Sequence, residues 1–153
     1  MHIITGNLWD ELGVADLVLF TGNSTLDGRL KRLVMGAGAA KEAANLFPGL
    51  SLALGEVLKS RGLVGGFYGV IQGRSKHRDG NLHRVGAFQT KTNWREYSPI
   101  GLIEDSARVL AKMAPVFGRI ALNMPGCGFG GLTEGEVLPR IEFLPDNVFI
   151  YRK

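Results

Sequence analysis

The sequence predicts an α/β sandwich with a mixed, mostly parallel sheet. Short apolar runs alternate along the 153 residues with segments of helical periodicity, which is the pattern that βαβ connections produce. Two glycine-rich loops, at residues 35–40 and 125–131, each stand between a strand candidate and a helix candidate. Ligands of open α/β sheets bind beyond the carboxyl ends of the strands, so we expect both loops at one rim of the sheet.

The first half of the chain contains two strand candidates and two helix candidates. Residues 2–5 and 16–21 are the strands, and the second of these ends at Gly22-Asn23. Small apolar residues recur at helical spacing from Gly38 to Phe47, where Pro48-Gly49 ends the helix. A second helix covers residues 50–61. The polar and basic residues 25–33 predict a loop or a short helix.

The second half continues the alternation. Strand candidates are residues 66–72, 85–90, 119–124 and 147–151, and turn residues at 78–81 make the first two of them neighbours. We expect Ser98 to cap a helix whose first residue is Pro99 and which Pro115 ends. Thr133 and Glu136 have the spacing of a capping box for the last helix.

Composition excludes several classes of protein. With 45% hydrophobic residues the chain can form a core, and its length fits one domain over residues 1–153. No apolar run approaches the roughly 20 residues of a membrane span, and residues 1–7 do not resemble a signal peptide. One cysteine, Cys127, and three scattered histidines give no disulfide and no metal-ligand spacing. We therefore expect a cytoplasmic protein without metal or redox cofactor and without membrane association.

Positive charge is concentrated in residues 74–95. This stretch has one acidic residue, Asp79, and a net charge of +5, so the remaining residues of the +4 chain sum to −1. A local positive field attracts phosphates and could contact nucleic acid, whereas a solvated basic loop is the alternative. The cationic residues are Arg74, Lys76, Arg78, Arg84, Lys91 and Arg95.

The two glycine-rich loops predict an anion site. Glycine lets the backbone approach a ligand closely, and the free N–H groups at a helix start favour negative charge. Ordinary tight turns are the alternative for either loop alone. A dinucleotide-binding Rossmann domain is disfavoured because Lys41 replaces a small residue of its fingerprint and the acidic residue expected about 20 positions on, Glu56, lies in a helix candidate.

Four blocks of the sequence together resemble macro domains, the modules that bind ADP-ribose. The similarity covers most of the chain and is greatest to the short branch of terminal ADP-ribose protein glycohydrolases and DNA ADP-ribosyl glycohydrolase antitoxins. It implies a three-layer α/β/α sandwich with ADP-ribose along the rim of the sheet. The blocks are residues 5–8, 34–40, 88–95 with Ser98, and 124–132.

The resemblance implies a set of ligand-binding residues. Asn7, next to Leu8, stands where the family has an aspartate that accepts from the adenine amino group, and its amide oxygen can still accept. Asn23 is the best match for an asparagine near the distal ribose, although residues 25–31 are an insertion; a turn residue is its alternative. The first loop, over the distal ribose and diphosphate, is Met35, Gly36, Ala37, Gly38 and Ala39. The second diphosphate loop is Pro125, Gly126, Cys127, Gly128, Phe129 and Gly130.

Three residues of these blocks have alternatives of their own. Phe129 matches a side chain that covers the ribose, but it could also be a core phenylalanine. Trp94 is either a packing residue or, beside Arg95, a platform on which a base stacks. Cys127 at a helix start could have a lowered pKa, but we expect a small, buried residue without a catalytic role.

Lys91 matches the lysine that the glycohydrolase branch needs for catalysis. Protonated, it could stabilise a leaving group; deprotonated by desolvation, it could attack the ribose C1″. Protein-directed relatives have an assisting aspartate where this chain has Gly130, and DNA-directed relatives have glycine there. The expected function is therefore binding of ADP-ribose and hydrolysis of an ADP-ribosyl linkage on nucleic acid or protein. A non-catalytic reader module and a basic nucleic-acid-binding protein are the alternatives.

Overall fold

A six-stranded mixed sheet forms the centre of the molecule. The computed structural model describes residues 1–153. The strand order is β1-β6-β5-β2-β4-β3, in which only β3 and β4 pair antiparallel. The strands are β1 (His2–Thr5), β2 (Leu17–Gly22), β3 (Val70–Lys76), β4 (Leu82–Gln89), β5 (Ile120–Asn123) and β6 (Val148–Arg152).

Four α-helices cover the two faces of this sheet. The side chains of β2 point alternately into two hydrophobic cores, one on each face of the sheet. Val18 and Phe20 pack with α1 and α2, whereas Leu17 and Leu19 pack with α3 and α4. The predicted three-layer α/β/α sandwich with a mixed, mostly parallel sheet is thereby confirmed. The helices are α1 (Gly38–Leu46), α2 (Leu50–Ser60), α3 (Ile100–Met113) and α4 (Glu134–Ile141). None of them has the length and apolar character needed to span a membrane.

Most predicted elements are present, with shifted ends. The capping box of Thr133 and Glu136 forms as expected at the start of α4. The strand expected at residues 66–72 begins only at Val70, because Tyr68 and Gly69 donate their backbone N–H groups to the Gln89 side chain instead of to a neighbouring strand. Ser98 is not the N-cap of α3; Pro99 occupies that position, and no side chain caps the helix.

The segment 25–33, which contains the predicted insertion 25–31, packs on α2. Leu26 pairs with Leu33 across the loop of residues 27–32, and Leu33 N–H donates to the Ser51 carbonyl at 3.0 Å. Gly55 of α2 makes room for this segment, since a Cβ there would lie 2.1 Å from the Lys31 carbonyl oxygen. The segment is therefore a loop attached to a helix.

We expect Gly55→Ala to destabilise the protein by about 1–3 kcal/mol, the usual effect of overpacking. Gly101→Ala is the matched control, because a Cβ at Gly101 in α3 meets no atom within 4 Å and alanine favours the helix. Denaturant unfolding measures both changes. Equal stability of the two variants would contradict the packing described for residues 25–33.

Candidate functional site

A cavity of about 780 Å³ opens at the carboxyl ends of β2, β4 and β5. Because these strands are parallel, the loops that follow them meet at one rim. Thr21 and Asn123 form its floor, and Asn123 holds the two strand ends together by hydrogen bonds to the Thr21 backbone N–H (2.9 Å) and hydroxyl (3.0 Å). Both predicted glycine-rich loops line this cavity.

The first glycine loop supplies unpaired backbone donors. None of the N–H groups of residues 36–40 has an acceptor within the protein. Ala37 occupies the N-cap of α1 without a side-chain hydrogen bond, and Gly38 has φ +56°. A residue with a side chain would be strained at Gly38, and the uncapped helix start attracts an anion.

The second glycine loop differs from its prediction in one respect. It does not enter an α-helix directly: residues Gly128–Gly130 form a single 3₁₀ turn, and α4 begins only at Glu134. Nevertheless, none of the N–H groups of residues 126–130 makes a well-aligned backbone hydrogen bond within the protein, although the 3₁₀ turn directs Gly130 N–H toward the Cys127 carbonyl and the Cys127–Leu132 bridge directs Gly128 N–H toward the Leu132 carbonyl. The loop therefore presents donors through its own tight turns, with positive φ at Gly126 and Gly128.

The two loops meet across the cavity at Phe129. A Cβ placed on Gly38 would lie 4.0 Å from the Phe129 ring. Phe129 is 75% exposed, so the alternative of a core phenylalanine is wrong. An apolar ring held in solvent over two sets of backbone donors is suited to cover a ligand.

Lys91 lies just beyond the end of β4, beside the second loop. Its Nζ donates to the Phe129 carbonyl at 3.3 Å. Burial lowers the pKa of Lys91, and the nearby Glu96 carboxylate acts in the opposite direction. The side chain is thus partly desolvated and reaches the same cavity as the donor loops.

A buried glutamine that sequence reasoning missed holds the Lys91 segment. Gln89 is fully buried, and its amide nitrogen donates to the carbonyls of Gly66 (2.8 Å) and Lys91 (3.1 Å). Its amide oxygen accepts from the backbone N–H groups of Tyr68 (2.7 Å) and Gly69 (3.1 Å). A glutamine directly after the apolar residues 85–88 is the signal that could have identified it, since a buried amide needs partners.

Glu96 organises the turn that follows Lys91. One carboxylate oxygen accepts from the Thr92 N–H (3.0 Å), the Thr92 hydroxyl (2.7 Å) and the Asn93 N–H (3.0 Å). These hydrogen bonds lower the pKa of Glu96. No sequence pattern indicated this role, because it depends on the conformation of the turn.

We expect Glu96→Gln to lower the pKa of Lys91, since it removes the negative charge that raises this pKa while keeping an acceptor for the turn. A pH titration of the Lys91 side chain followed by NMR should show a midpoint at lower pH in this variant. Glu142→Gln, an exposed site at the end of α4, serves as the control. An unchanged midpoint in the Glu96 variant would contradict this coupling.

Gly130 is closely packed against Ser98. A Cβ at Gly130 would lie 2.6 Å from the Ser98 hydroxyl oxygen, and Ser98 N–H donates to the Gly130 carbonyl at 2.9 Å. The Ser98 hydroxyl is buried and has no hydrogen-bond partner. A side chain at position 130 therefore requires movement of Ser98.

Asn23 lines the cavity, but its side-chain amide is committed to the protein. Its nitrogen donates to the Val34 carbonyl at 3.1 Å, and its oxygen accepts from the Thr25 N–H at 2.9 Å. It thus acts as a turn residue that joins the end of β2 to the first glycine loop. Asn23 is buried, and its predicted contact with the distal ribose stays a prediction.

Five predicted ligand-binding residues lie outside the cavity lining. Asn7 is exposed after β1, and its side-chain oxygen accepts from the Trp9 N–H at 3.0 Å, whereas Leu8 packs in the core. Met35 is buried in that same core. The predicted residues that do not line the cavity are Asn7, Leu8, Met35, Pro125 and Gly128.

Cys127 also lines the cavity, half-buried. Burial raises the pKa of its thiol, and Glu134 and Glu136 act in the same direction. The alternative of a thiol with a lowered pKa is therefore wrong. No group of three His, Cys, Asp or Glu side chains lies close enough together to hold a metal ion.

Aromatic and cationic side chains surround the mouth of the cavity. Trp94 is 48% and Tyr97 79% exposed, and the Arg95 guanidinium lies 5.0 Å from the Trp94 ring. Tyr97 rests on Gly131, where a Cβ would lie 2.6 Å from its ring. Trp94 is therefore not a core residue, although about half of its surface is covered. No sequence pattern indicated Tyr97.

The basic stretch does not form one surface. Lys91 and Arg95 lie at the cavity, whereas Arg74 and Arg84 line a separate cavity with Leu82. Strand β4 separates the two groups, and at about 3.3 Å per residue its eight residues extend roughly 26 Å. The cations of residues 74–95 therefore do not form one group, and their predicted contact with nucleic acid stays a prediction.

Comparison with solved structures identifies the fold. No family model matches the chain, and no curated protein matches its sequence. The macrodomain of Thermus aquaticus DarG is 24% identical, with a TM-score of 0.70, over 99% of this chain and 97% of that one. The macrodomain of Mycobacterium tuberculosis DarG is 23% identical, with a TM-score of 0.67, over 99% and 97%.

A third structure similar to this one contains a ligand. Thermosipho africanus DarTG in complex with ADP-ribose is 22% identical, with a TM-score of 0.75, over 99% of this chain and 41% of that one. The α/β sandwich of this chain is thus similar to that of solved macrodomains. The chain has the macro-domain fold, as its sequence predicted.

Proposed function

We propose that the cavity at the carboxyl ends of β2, β4 and β5, which we call the rim cavity, binds ADP-ribose. The observation that carries this proposal is that two loops, residues 36–40 and 126–130, line one cavity with backbone N–H groups that make no well-aligned hydrogen bond within the protein. A diphosphate has acceptor oxygens on both phosphates and suits such a pair of donor loops. The structural similarity to a DarTG that is in complex with ADP-ribose supports the same ligand.

Within this proposal each part of the rim has a role. The start of α1 and the turn Gly128–Gly130 hold the diphosphate, and Phe129 covers the distal ribose. Asn7 Oδ1 accepts a hydrogen bond from the adenine amino group, through the lone pair that the Trp9 N–H does not use. Asn23 contacts the distal ribose only after its bonds to Val34 and Thr25 are exchanged.

We further propose that the protein hydrolyses an ADP-ribosyl linkage and that Lys91 is its catalytic residue. Support comes from the position of Nζ at the second loop and from the burial that lowers its pKa. As a free amine, Nζ attacks C1″, a bond from nitrogen to C1″ forms, and the bond to the modified group breaks. Water then cleaves the new bond and releases ADP-ribose. As a cation, Nζ stabilises negative charge on the leaving group while water attacks.

Nucleic acid is the target class that the rim supports best. Trp94, Tyr97 and Arg95 present planar surfaces beside Lys91, and nucleobases stack on such surfaces. None of the residues 125–131 is acidic, so the second loop offers no carboxylate for a lysine–aspartate mechanism, and Ser98 occupies the space beside Gly130. A reader module remains the second candidate because of this missing carboxylate.

Release of ADP-ribose from modified DNA and from modified protein tests this function. We expect the wild type to release ADP-ribose from modified DNA faster than from modified protein. Faster release from protein would contradict the nucleic-acid assignment. If neither substrate is cleaved while free ADP-ribose binds, the enzyme proposal fails and the reader module stands.

Gly36→Leu tests whether the first glycine loop holds the diphosphate. A Cβ at Gly36 meets no protein atom within 4 Å, so we expect the variant to fold while its side chain enters the space proposed for the diphosphate. Gly28→Leu, in an equally open place outside the cavity, is the matched control. ADP-ribose affinity should fall at least about tenfold, or 1.4 kcal/mol, only in the Gly36 variant. Equal affinities would place the ligand elsewhere.

A further inference from the structure

An uncovered part of the sheet carries cations without acidic partners. We call it the hairpin face and define it by Gln72, Arg74 and Lys76 of β3 and Leu82 and Arg84 of β4. Strand alternation puts these residues on the same side as Val70 and Phe88, which pack in the core under α3. The helical layer ends before the hairpin face, since Leu82 is 63% and Val116 81% exposed.

The arrangement of charge on this face is unfavourable for the free protein. Arg74 and Arg84 are direct cross-strand partners, and like charges in that position destabilise a sheet. Neither of them, nor Lys76, forms a salt bridge; Arg84 donates to the neutral Gln72 amide oxygen at 2.9 Å.

One carboxylate lies beside this face. Asp16 lines the same cavity of about 670 Å³, but one of its oxygens already accepts from the Arg119 backbone N–H at 2.7 Å. Three cations therefore face a single, partly engaged anion. Charged side chains on the edge strand β3 protect against edge pairing, but Arg84 lies on the inner strand β4, where this explanation does not apply.

We propose that the hairpin face binds the phosphate backbone of a nucleic acid strand. Guanidinium groups match phosphate oxygens in a bidentate geometry. Arg74 and Lys76 lie two residues apart on one strand, about 6.6 Å, a separation that suits successive phosphates of a chain better than one free phosphate. This site lies away from the rim cavity and is independent of ADP-ribose binding.

Binding of a short, labelled, unmodified single-stranded DNA, followed by fluorescence anisotropy over a range of salt concentrations, tests the proposal. We expect Arg74→Glu/Arg84→Glu to weaken binding at least tenfold. Loss of two phosphate contacts should reduce the slope of log K against log salt by about 1.4, or 0.7 for each contact. Arg74→Gln/Arg84→Gln, which removes charge without adding any, should show a smaller loss in the same direction.

The matched control is Lys59→Glu/Arg61→Glu, which makes the same change of charge at the exposed end of α2. Retained DNA binding in this control, with unchanged ADP-ribose affinity in all variants, supports a local site. Equal weakening in the two charge-reversed variants would overturn it. So would a wild type that does not bind DNA, or polyglutamate that competes as well as unlabelled DNA.

Discussion

Lys91→Ala should lower the rate of ADP-ribose release by at least about 10²- to 10³-fold, the usual cost of removing one group that stabilises charge in the transition state. The affinity for free ADP-ribose should change far less, because the proposed diphosphate contacts come from the backbone of residues 36–40 and 126–130. Lys112→Ala, at an exposed lysine in the last turn of α3, should retain full activity. Single-turnover release from modified DNA measures all three proteins.

Lys91→Arg separates the two proposed roles of the lysine. Arginine keeps the positive charge but does not lose its proton in proteins. If Lys91 stabilises the leaving group as a cation, the arginine variant keeps much of the activity; if it attacks as an amine, activity is lost as in Lys91→Ala. Activity of Lys91→Ala equal to wild type would contradict both roles and leave the chemistry to another group.

Glu11→Ala should cause the largest loss of stability. The Glu11 carboxylate is almost fully buried and accepts from Arg119 Nε (2.9 Å), from Arg119 Nη2 (2.5 Å) and from the Tyr151 hydroxyl. Breaking a buried ion pair costs about 3–5 kcal/mol. We expect roughly 3 kcal/mol here, the lower end, because a third of the Arg119 side chain (33%) is in contact with solvent.

This ion pair also makes stability depend on pH. Burial raises the pKa of Glu11, but the hydrogen bonds from Arg119 and Tyr151 outweigh it and hold the pKa below its ordinary value. The stabilisation is therefore present above the pKa of the unfolded chain and is lost as pH falls through the lowered pKa of the folded protein. Glu11→Gln should be destabilised at neutral pH and should lose less stability than wild type on acidification.

Denaturant unfolding at neutral and acidic pH measures these effects. Glu142→Ala, at an exposed carboxylate, is the control and should stay within about 0.5 kcal/mol of wild type. Comparable losses in the Glu11 and Glu142 variants would show that the buried ion pair does not stabilise the protein.

Local signals in the sequence predicted most elements of the fold. The box of Thr133 and Glu136 lies within one helical turn, so two residues three positions apart were enough to place the start of α4. Ser98 failed as a cap because α3 begins at Ile100 with Pro99 as its N-cap, one residue later than expected. Ser98 instead pairs through its N–H with Gly130 on a distant loop, a contact that no local pattern encodes. The order of the strands likewise depends on packing between distant segments.

The candidate site was predicted in its backbone and less well in its side chains. Glycine patterns indicated both donor loops, since a close ligand approach needs residues without side chains. The role of Gln89 depends on its contact with residues 66–69, which are distant in sequence. The role of Glu96 depends on the conformation of the turn that follows β4. The basic residues lie within one stretch of the sequence, 74–95. Arg84 and Lys91 nevertheless lie near opposite ends of the extended strand β4 and so in different parts of the molecule.

Calorimetric titration of the wild-type protein with ADP-ribose measures whether the cavity binds this ligand. We expect saturable binding with one site per chain, and loss of that binding in Gly36→Leu but not in Gly28→Leu. Undetectable binding at millimolar ADP-ribose would contradict the proposal for the cavity, and with it both the hydrolase and the reader module.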